Sequence, residues 1–135
     1  IQALTSEFGL GVFYESPKRL VKTLREMAEM APQRKAVVAR ELTKVHEELK
    51  RGSLEDLLEW ASTQGEIRGE ITVVLGPNET PDLPKDPGQE ELDNSIRAVL
   101  DAGLSARDAA AAVAALLGIQ KRRVYNRLNE LLSES

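Results

Sequence analysis

Two rhythms of apolar and polar positions divide this chain. Up to residue 75, short apolar runs alternate with helically spaced stretches; beyond residue 88 only the helical spacing remains. Val12-Phe13-Tyr14 predicts a strand, because branched and aromatic side chains fit a pleated, half-buried surface. Glu15-Ser16-Pro17 ends it. Ser16 suits a helix N-cap and Pro17 the first helical position. A helix is therefore expected from 17 to about 30, with Leu20, Val21, Leu24, Met27 and Ala28 inward. Ala31-Pro32 stops it, since a residue before proline leaves the helical region. Ala36-Val37-Val38-Ala39 reads as a central strand buried on both faces. A turn near 43–45 and a strand over about 47–51 would form a hairpin, against a competing helix through Val45 and Leu49. Ser53-Leu54-Glu55-Asp56 resembles a capping box. It opens a helix with Leu54, Leu57, Leu58 and Ala61 inward, Trp60 beside them and Gly65 as the stop. Residues 71–75, Ile-Thr-Val-Val-Leu, predict another strand.

After Gly76 the texture changes. Four of the six prolines fall at 77, 81, 84 and 87, so this stretch reads as a semi-extended, mobile linker. Three apolar stripes follow. Leu92, Ile96, Val99 and Leu100 form the first, and Gly103 breaks it. Ser105 caps the second, where Ala106, Ala109, Ala110, Val113, Leu116 and Leu117 face inward and small alanines permit close helix approach. Gly118 turns the chain into a third, Val124, Leu128, Leu131 and Leu132. The expected architecture is α/β: a mixed sheet of about four strands with flanking helices over 1–76, a linker over 77–90, and a three-helix, helix-turn-helix-like part over 91–135. Ile1-Gln2-Ala3-Leu4 looks like the tail of a helix. With Leu4 and Phe8 against the sheet edge, it suggests a piece of a longer protein.

Composition adds exclusions. The 135 residues are 41% hydrophobic, enough for a compact core, but only 4% aromatic, so that core must be mainly aliphatic. A net charge of -4 argues against the whole chain acting as a polyanion binder, so any nucleic-acid contact needs a local basic patch. The absence of cysteine excludes disulfides and thiolate metal sites and fits a reducing compartment. A single histidine, His46, excludes a multi-histidine metal site. No signal peptide and no membrane-spanning apolar run is visible.

Three stretches carry candidate chemistry. The strand-turn-helix at 12–20 has the form that places ligands at the carboxyl ends of strands, with a helix start that attracts anions. A solvated turn with a Glu15–Arg19 surface ion pair is an equal alternative. Arg40, Glu41, Thr43, Lys44, His46 and Glu47 follow a buried strand. Arg and Lys can neutralise phosphates, and a carboxylate or histidine can take a proton. The plain alternative is a charged hairpin tip whose ion pairs are each worth little. In the last helix, Lys121, Arg122, Arg123 and Arg127 lie where a recognition helix presents groups to a groove, with Tyr125 and Asn126 beside them. From 118 to 135 these four cations oppose two glutamates. A small bundle with a solvated basic face is the alternative, and the acidic first helix argues against tight DNA binding. No serine nucleophile elbow, phosphate-binding loop or dinucleotide fingerprint is present.

Taken in order, Phe13-Tyr14-Glu15-Ser16-Pro17 with Arg19, Ala39-Arg40-Glu41-Leu42-Thr43-Lys44 with His46-Glu47, Arg51-Gly52 and Arg68-Gly69-Glu70 resemble the C-terminal half of a bacterial family. It is the 16S ribosomal RNA cytidine 2′-O-methyltransferases, methyltransferase I, of the tetrapyrrole (corrin/porphyrin) methylase superfamily. The resemblance runs over 9–75, and residues 103–132 look like the family's helix-turn-helix-like extension. Lys18 departs from it, standing where a histidine is often seen. The resemblance implies a two-lobed cytoplasmic enzyme, dimeric in the superfamily manner, that uses S-adenosylmethionine. An N-terminal lobe absent from this sequence would carry the glycine-rich cofactor loop, leaving this chain alone inactive. Tyr14, Glu15, Ser16, Pro17, Ala39 and Arg40 would line the cofactor cleft. Arg19, Lys44, His46, Lys121, Arg122, Arg123 and Arg127 would face RNA of the small ribosomal subunit. Glu41 or Glu47 would accept the hydroxyl proton, and no metal is implied. Two other readings stay open: a non-enzymatic RNA-binding or regulatory module, and a small-molecule methylase of the same superfamily.

Overall fold

A computed structural model describes residues 4–5, 10–41, 48–65, 67–76 and 87–134. Its elements are β1 (Leu4–Thr5), β2 (Gly11–Glu15), a 3₁₀ turn (Pro17–Arg19), α1 (Leu20–Met30), β3 (Lys35–Arg40), β4 (Glu48–Ser53), α2 (Leu54–Thr63), β5 (Ile71–Leu75), α3 (Gln89–Asp101), α4 (Ala106–Leu117) and α5 (Lys121–Ser133). The five strands form one sheet in the order β1-β2-β5-β3-β4. This is the α/β fold expected, with one correction. Each neighbouring pair is antiparallel, so the sheet is not mixed. β2 and β3, joined through α1, do run in the same direction. β5 slots between them in the opposite sense and pairs with both.

Local chemistry accounts for most element ends. The Ser53 hydroxyl accepts the Asp56 N–H at 3.1 Å, and the Ser105 hydroxyl accepts the Asp108 N–H at 3.2 Å, so both expected caps form. Ser16 makes no such bond. Glu15 takes over the turn instead, its carboxylate accepting the Ser16 N–H at 2.8 Å and the Thr23 hydroxyl at 2.6 Å. Leu4 pairs with Val12 as an edge strand and does not end a helix. The hairpin prevails over the helix for Leu49, which pairs with Ala39. The hairpin's turn at 43–45 and the linker residues 77–86 lie outside the described residues.

Both faces of the sheet are covered. Alternation along the strands sends Phe13, Val38 and Val73 to one face, where they pack on Leu20 and Leu24 of α1 and Leu54, Leu57 and Ala61 of α2. Val12, Val37 and Val74 point the other way, into a core shared with Ile96, Val99, Val113, Val124 and Leu128 of the three C-terminal helices. α4 lies innermost among these helices and is buried along most of its length. Its alanines, from Ala109 to Ala112, let it approach the sheet as well as α3 and α5. At roughly 25 cal/mol per Å² of apolar area, burying each large aliphatic side chain stabilises the fold by about 1.5–3 kcal/mol. The second face thus contributes as a core in its own right.

Candidate functional site

β2 and β3 end at the same edge of the sheet. Register places Glu15, Ile71, Arg40 and Glu48 in one row across it, and Tyr14, Thr72, Ala39 and Leu49 in the next. The turn after β2 and the end of β3, far apart in sequence, therefore meet. Tyr14 leaves 61% of its surface open, and its hydroxyl reaches the Ala102 carbonyl at the end of α3 at 3.4 Å. Glu15 turns back into the fold. Burial alone pushes its carboxyl up, but the Thr23 and Ser16 hydrogen bonds and the nearby Arg19 charge outweigh this and leave it below the usual carboxylate range. Ala39 is fully buried, so its side chain offers nothing to a ligand.

Arg40 and Glu41 are held by the turn before β5. The Arg40 guanidinium donates to Glu48 Oε1 at 3.2 Å and to the Arg68 carbonyl at 3.4 Å. Glu41 sits at φ 56°, a left-handed conformation that costs an L-residue roughly 1–2 kcal/mol. Two bonds stabilise it there. Its N–H donates to the Glu70 carbonyl at 2.9 Å, and its Oε1 accepts the Glu70 N–H at 3.1 Å. Gly69, at φ 95°, completes the contact, because a Cβ on it would coincide with the Glu41 carboxylate. Lys44, His46 and Glu47 lie outside the described residues.

The expected basic helix is at the other end of the sheet. α4 begins beside Gly103, which faces the Tyr14 hydroxyl, and its Leu116 lies against Gly76, which follows β5 and donates its N–H to the Lys35 carbonyl at the start of β3. The 12 residues of α4 span about 18 Å, so α5 starts roughly that far from the Tyr14 edge. Lys121, Arg122 and Arg123 are exposed there. With Gln89 and Leu92 of α3, the Arg122, Arg123 and Asn126 side chains border a surface groove of about 460 Å³. Arg123 also donates to the Pro87 carbonyl at 3.4 Å. Arg127 is different. It forks onto Asp93 of α3, at 2.7 and 2.8 Å to the two carboxylate oxygens, with side chains only 17% and 12% exposed. The hydrogen bond from Arg127 holds the Asp93 carboxyl below its usual range against the opposing effect of burial, helped by the Arg127 and Arg97 charges. The same hydrogen bond raises Arg127.

Residues 86–132 match a sequence family described as the RsmI C-terminal HTH domain. Curated proteins named ribosomal RNA small subunit methyltransferase I also align. That of Mesorhizobium japonicum is 36% identical over 100% of this chain and 45% of its own length. That of Mycobacterium bovis is 40% identical over 85% of this chain and 39% of its own, and that of Bacillus subtilis 30% identical over 93% and 44%. Along its length the chain is similar to ribosomal RNA small subunit methyltransferase I proteins, and its last three helices match the RsmI C-terminal HTH domain. It spans less than half the length of these relatives.

The family's helix-turn-helix match covers α3, α4 and α5, and the three residues between α4 and α5 make its turn, with Gly118 at φ 70°. The fold thus gathers Tyr14, Glu15, Ser16, Pro17, Arg19, Ala39, Arg40 and Glu41 toward one edge, and Lys121, Arg122, Arg123 and Arg127 at the far end. Thr23, Glu70 and Asp93 hold site residues in place, yet the sequence reading assigned them no role. Of these, the Arg68-Gly69-Glu70 turn carried a signal, a glycine between charged residues just before a strand. Thr23 and Asp93 carried none, since their partners are 8 and 34 residues away.

Proposed function

We propose that this chain forms the RNA-facing half of an enzyme that transfers a methyl group from S-adenosylmethionine to a cytidine 2′-hydroxyl of 16S ribosomal RNA, in the cytoplasm. The names of the aligned relatives support ribosomal RNA of the small subunit as the substrate. One structural observation favours a polynucleotide over a small molecule. The Tyr14–Arg40 edge and the cations of α5 lie about 18 Å apart, a span that an RNA strand covers and a single small substrate does not.

The edge fits one wall of a cofactor cleft. Tyr14 offers an exposed ring for stacking, Ser16 and Pro17 shape an open turn, and Arg40 offers a fixed cation. S-adenosylmethionine supplies an electrophilic methyl on a sulfonium. The glycine-rich loop that holds it belongs, in this proposal, to the part of the relatives beyond the aligned region. This chain's residues supply positioning: Arg40, Arg19, Lys44 and His46 hold the RNA near the edge, and Lys121, Arg122 and Arg123 anchor it further away. Glu47 is the carboxylate proposed to take the hydroxyl proton.

The deciding experiment is transfer of labelled methyl groups to small ribosomal subunits that lack the modification. The full-length protein is expected to label 16S RNA at a cytidine ribose, and this chain alone is expected to label nothing. Binding of RNA by the full-length protein without transfer would favour a non-enzymatic RNA-binding module instead.

A further inference from the structure

Glu41 and Glu47 are both candidates for proton acceptor on sequence grounds, and the geometry gives Glu41 a structural task. A general base must aim a lone pair at the substrate hydroxyl. Glu41 Oε1 is already committed: it accepts the Glu70 N–H inside the turn before β5, in space that exists because residue 69 has no side chain. The Glu41 backbone N–H returns a second bond to the Glu70 carbonyl. This reciprocal pair holds Glu41 at φ 56°, among the described residues the non-glycine position with a left-handed backbone. Its neighbour Arg40 reaches the same turn through the Arg68 carbonyl.

We infer that Glu41 is a positioning residue, a clamp on the Gly69-Glu70 turn that fixes the end of β3 and with it the Arg40 guanidinium. The inference rests on the proposal that this edge is where methyl transfer occurs. It predicts an unusual ranking of variants. Glu41→Gln keeps an oxygen that can accept the Glu70 N–H, so it preserves the clamp while removing the basic carboxylate. Glu41→Ala removes the acceptor. Gly69→Ala puts a methyl where the carboxylate sits.

The test uses the full-length protein and measures kcat and KM for methyl transfer to the small subunit, with amide hydrogen exchange at Glu70. A positioning role gives a Glu41→Gln variant with most of the wild-type kcat/KM. It gives Glu41→Ala and Gly69→Ala variants that lose on the order of 10²-fold, as misplaced binding groups do. Exchange at the Glu70 amide stays slow in Glu41→Gln and quickens in Glu41→Ala. Loss of about 10²–10⁴-fold in Glu41→Gln, with the Glu70 amide still protected, would overturn the inference and make Glu41 the base. Full activity in Glu41→Ala would also overturn it. If Gly69→Ala does not fold, the two Glu41 variants decide alone. Absence of transfer by the wild-type protein would count against the methyltransferase proposal, and hydrogen exchange would still decide whether the clamp exists.

Discussion

Arg127 shows how one pairing changes the meaning of a residue. By composition it is one of four cations in the last helix, and an RNA contact is a natural assignment. Its two-pronged bond to Asp93 makes it a strut between α5 and α3. Fork-to-fork pairing is the strong form of a charged hydrogen bond, and both side chains are largely withdrawn from water. The consequence for stability follows from the sign of the Asp93 shift. Its folded carboxyl titrates below its ordinary 3.8, so the unfolded chain takes up that proton first as pH falls. The pair's contribution is therefore complete above about pH 4–5 and is lost as pH drops through the lowered folded value. Glu15, also lowered from its ordinary 4.5, adds a loss of the same sign. Thermal stability of the wild-type chain is expected to fall steeply below about pH 4. Asp93→Asn should lower Tm at neutral pH and flatten that acid slope. An unchanged slope would mean that the pair contributes nothing.

At the scale of elements, the turn between α4 and α5 depends on one glycine. Gly118 has φ 70°, and a Cβ on it would stand 3.0 Å from Arg51 Nη1 of β4. Two effects could therefore oppose a substitution, backbone strain and a clash. The clash is with the far end of a flexible side chain that can move aside, so backbone strain should dominate. Gly118→Ala is expected to destabilise the chain by roughly 1–2 kcal/mol in urea unfolding. Adding Arg51→Ala should recover little of that. Substantial recovery would show that the contact, not φ, is decisive. Element identity was legible in the sequence because signals coincided: Ser53 and Ser105 caps, Gly103 and Gly118 stops, and unbroken apolar stripes. What sequence could not give was strand order. The run at 71–75 announces a strand, but nothing local says that it inserts between β2 and β3. Ser16 misled because a cap is a competition, and the longer Glu15 side chain reaches both the Ser16 amide and Thr23.

Across the whole molecule, the second face of the sheet organises the candidate sites. Val12, Val37 and Val74 share a core with the three C-terminal helices, so β-sheet and helix-turn-helix are expected to melt in one calorimetric transition. Two separate transitions would show that this shared core is too weak to couple them. The same packing fixes α4 across the sheet and sets the Tyr14 edge and the α5 cations at opposite ends. The sequence named both groups of residues, but only the direction of α4 shows that they do not form one pocket. If each end holds RNA separately, the α5 cations should contribute affinity by neutralising phosphates and leave the chemistry untouched. Lys121 and Arg122 are the pair to remove, since they are exposed while Arg123 and Arg127 also brace the helix against α3 and its approach. In the full-length protein, Lys121→Ala with Arg122→Ala is expected to weaken binding to 16S RNA and make its salt dependence shallower. The slope of log K against log salt should fall by about 0.7–0.9 for each phosphate contact removed. Tm should stay near wild type and kcat at saturating subunit should hold. An equal fall in kcat would place α5 at the reacting centre, and an unchanged salt slope would take it off the RNA.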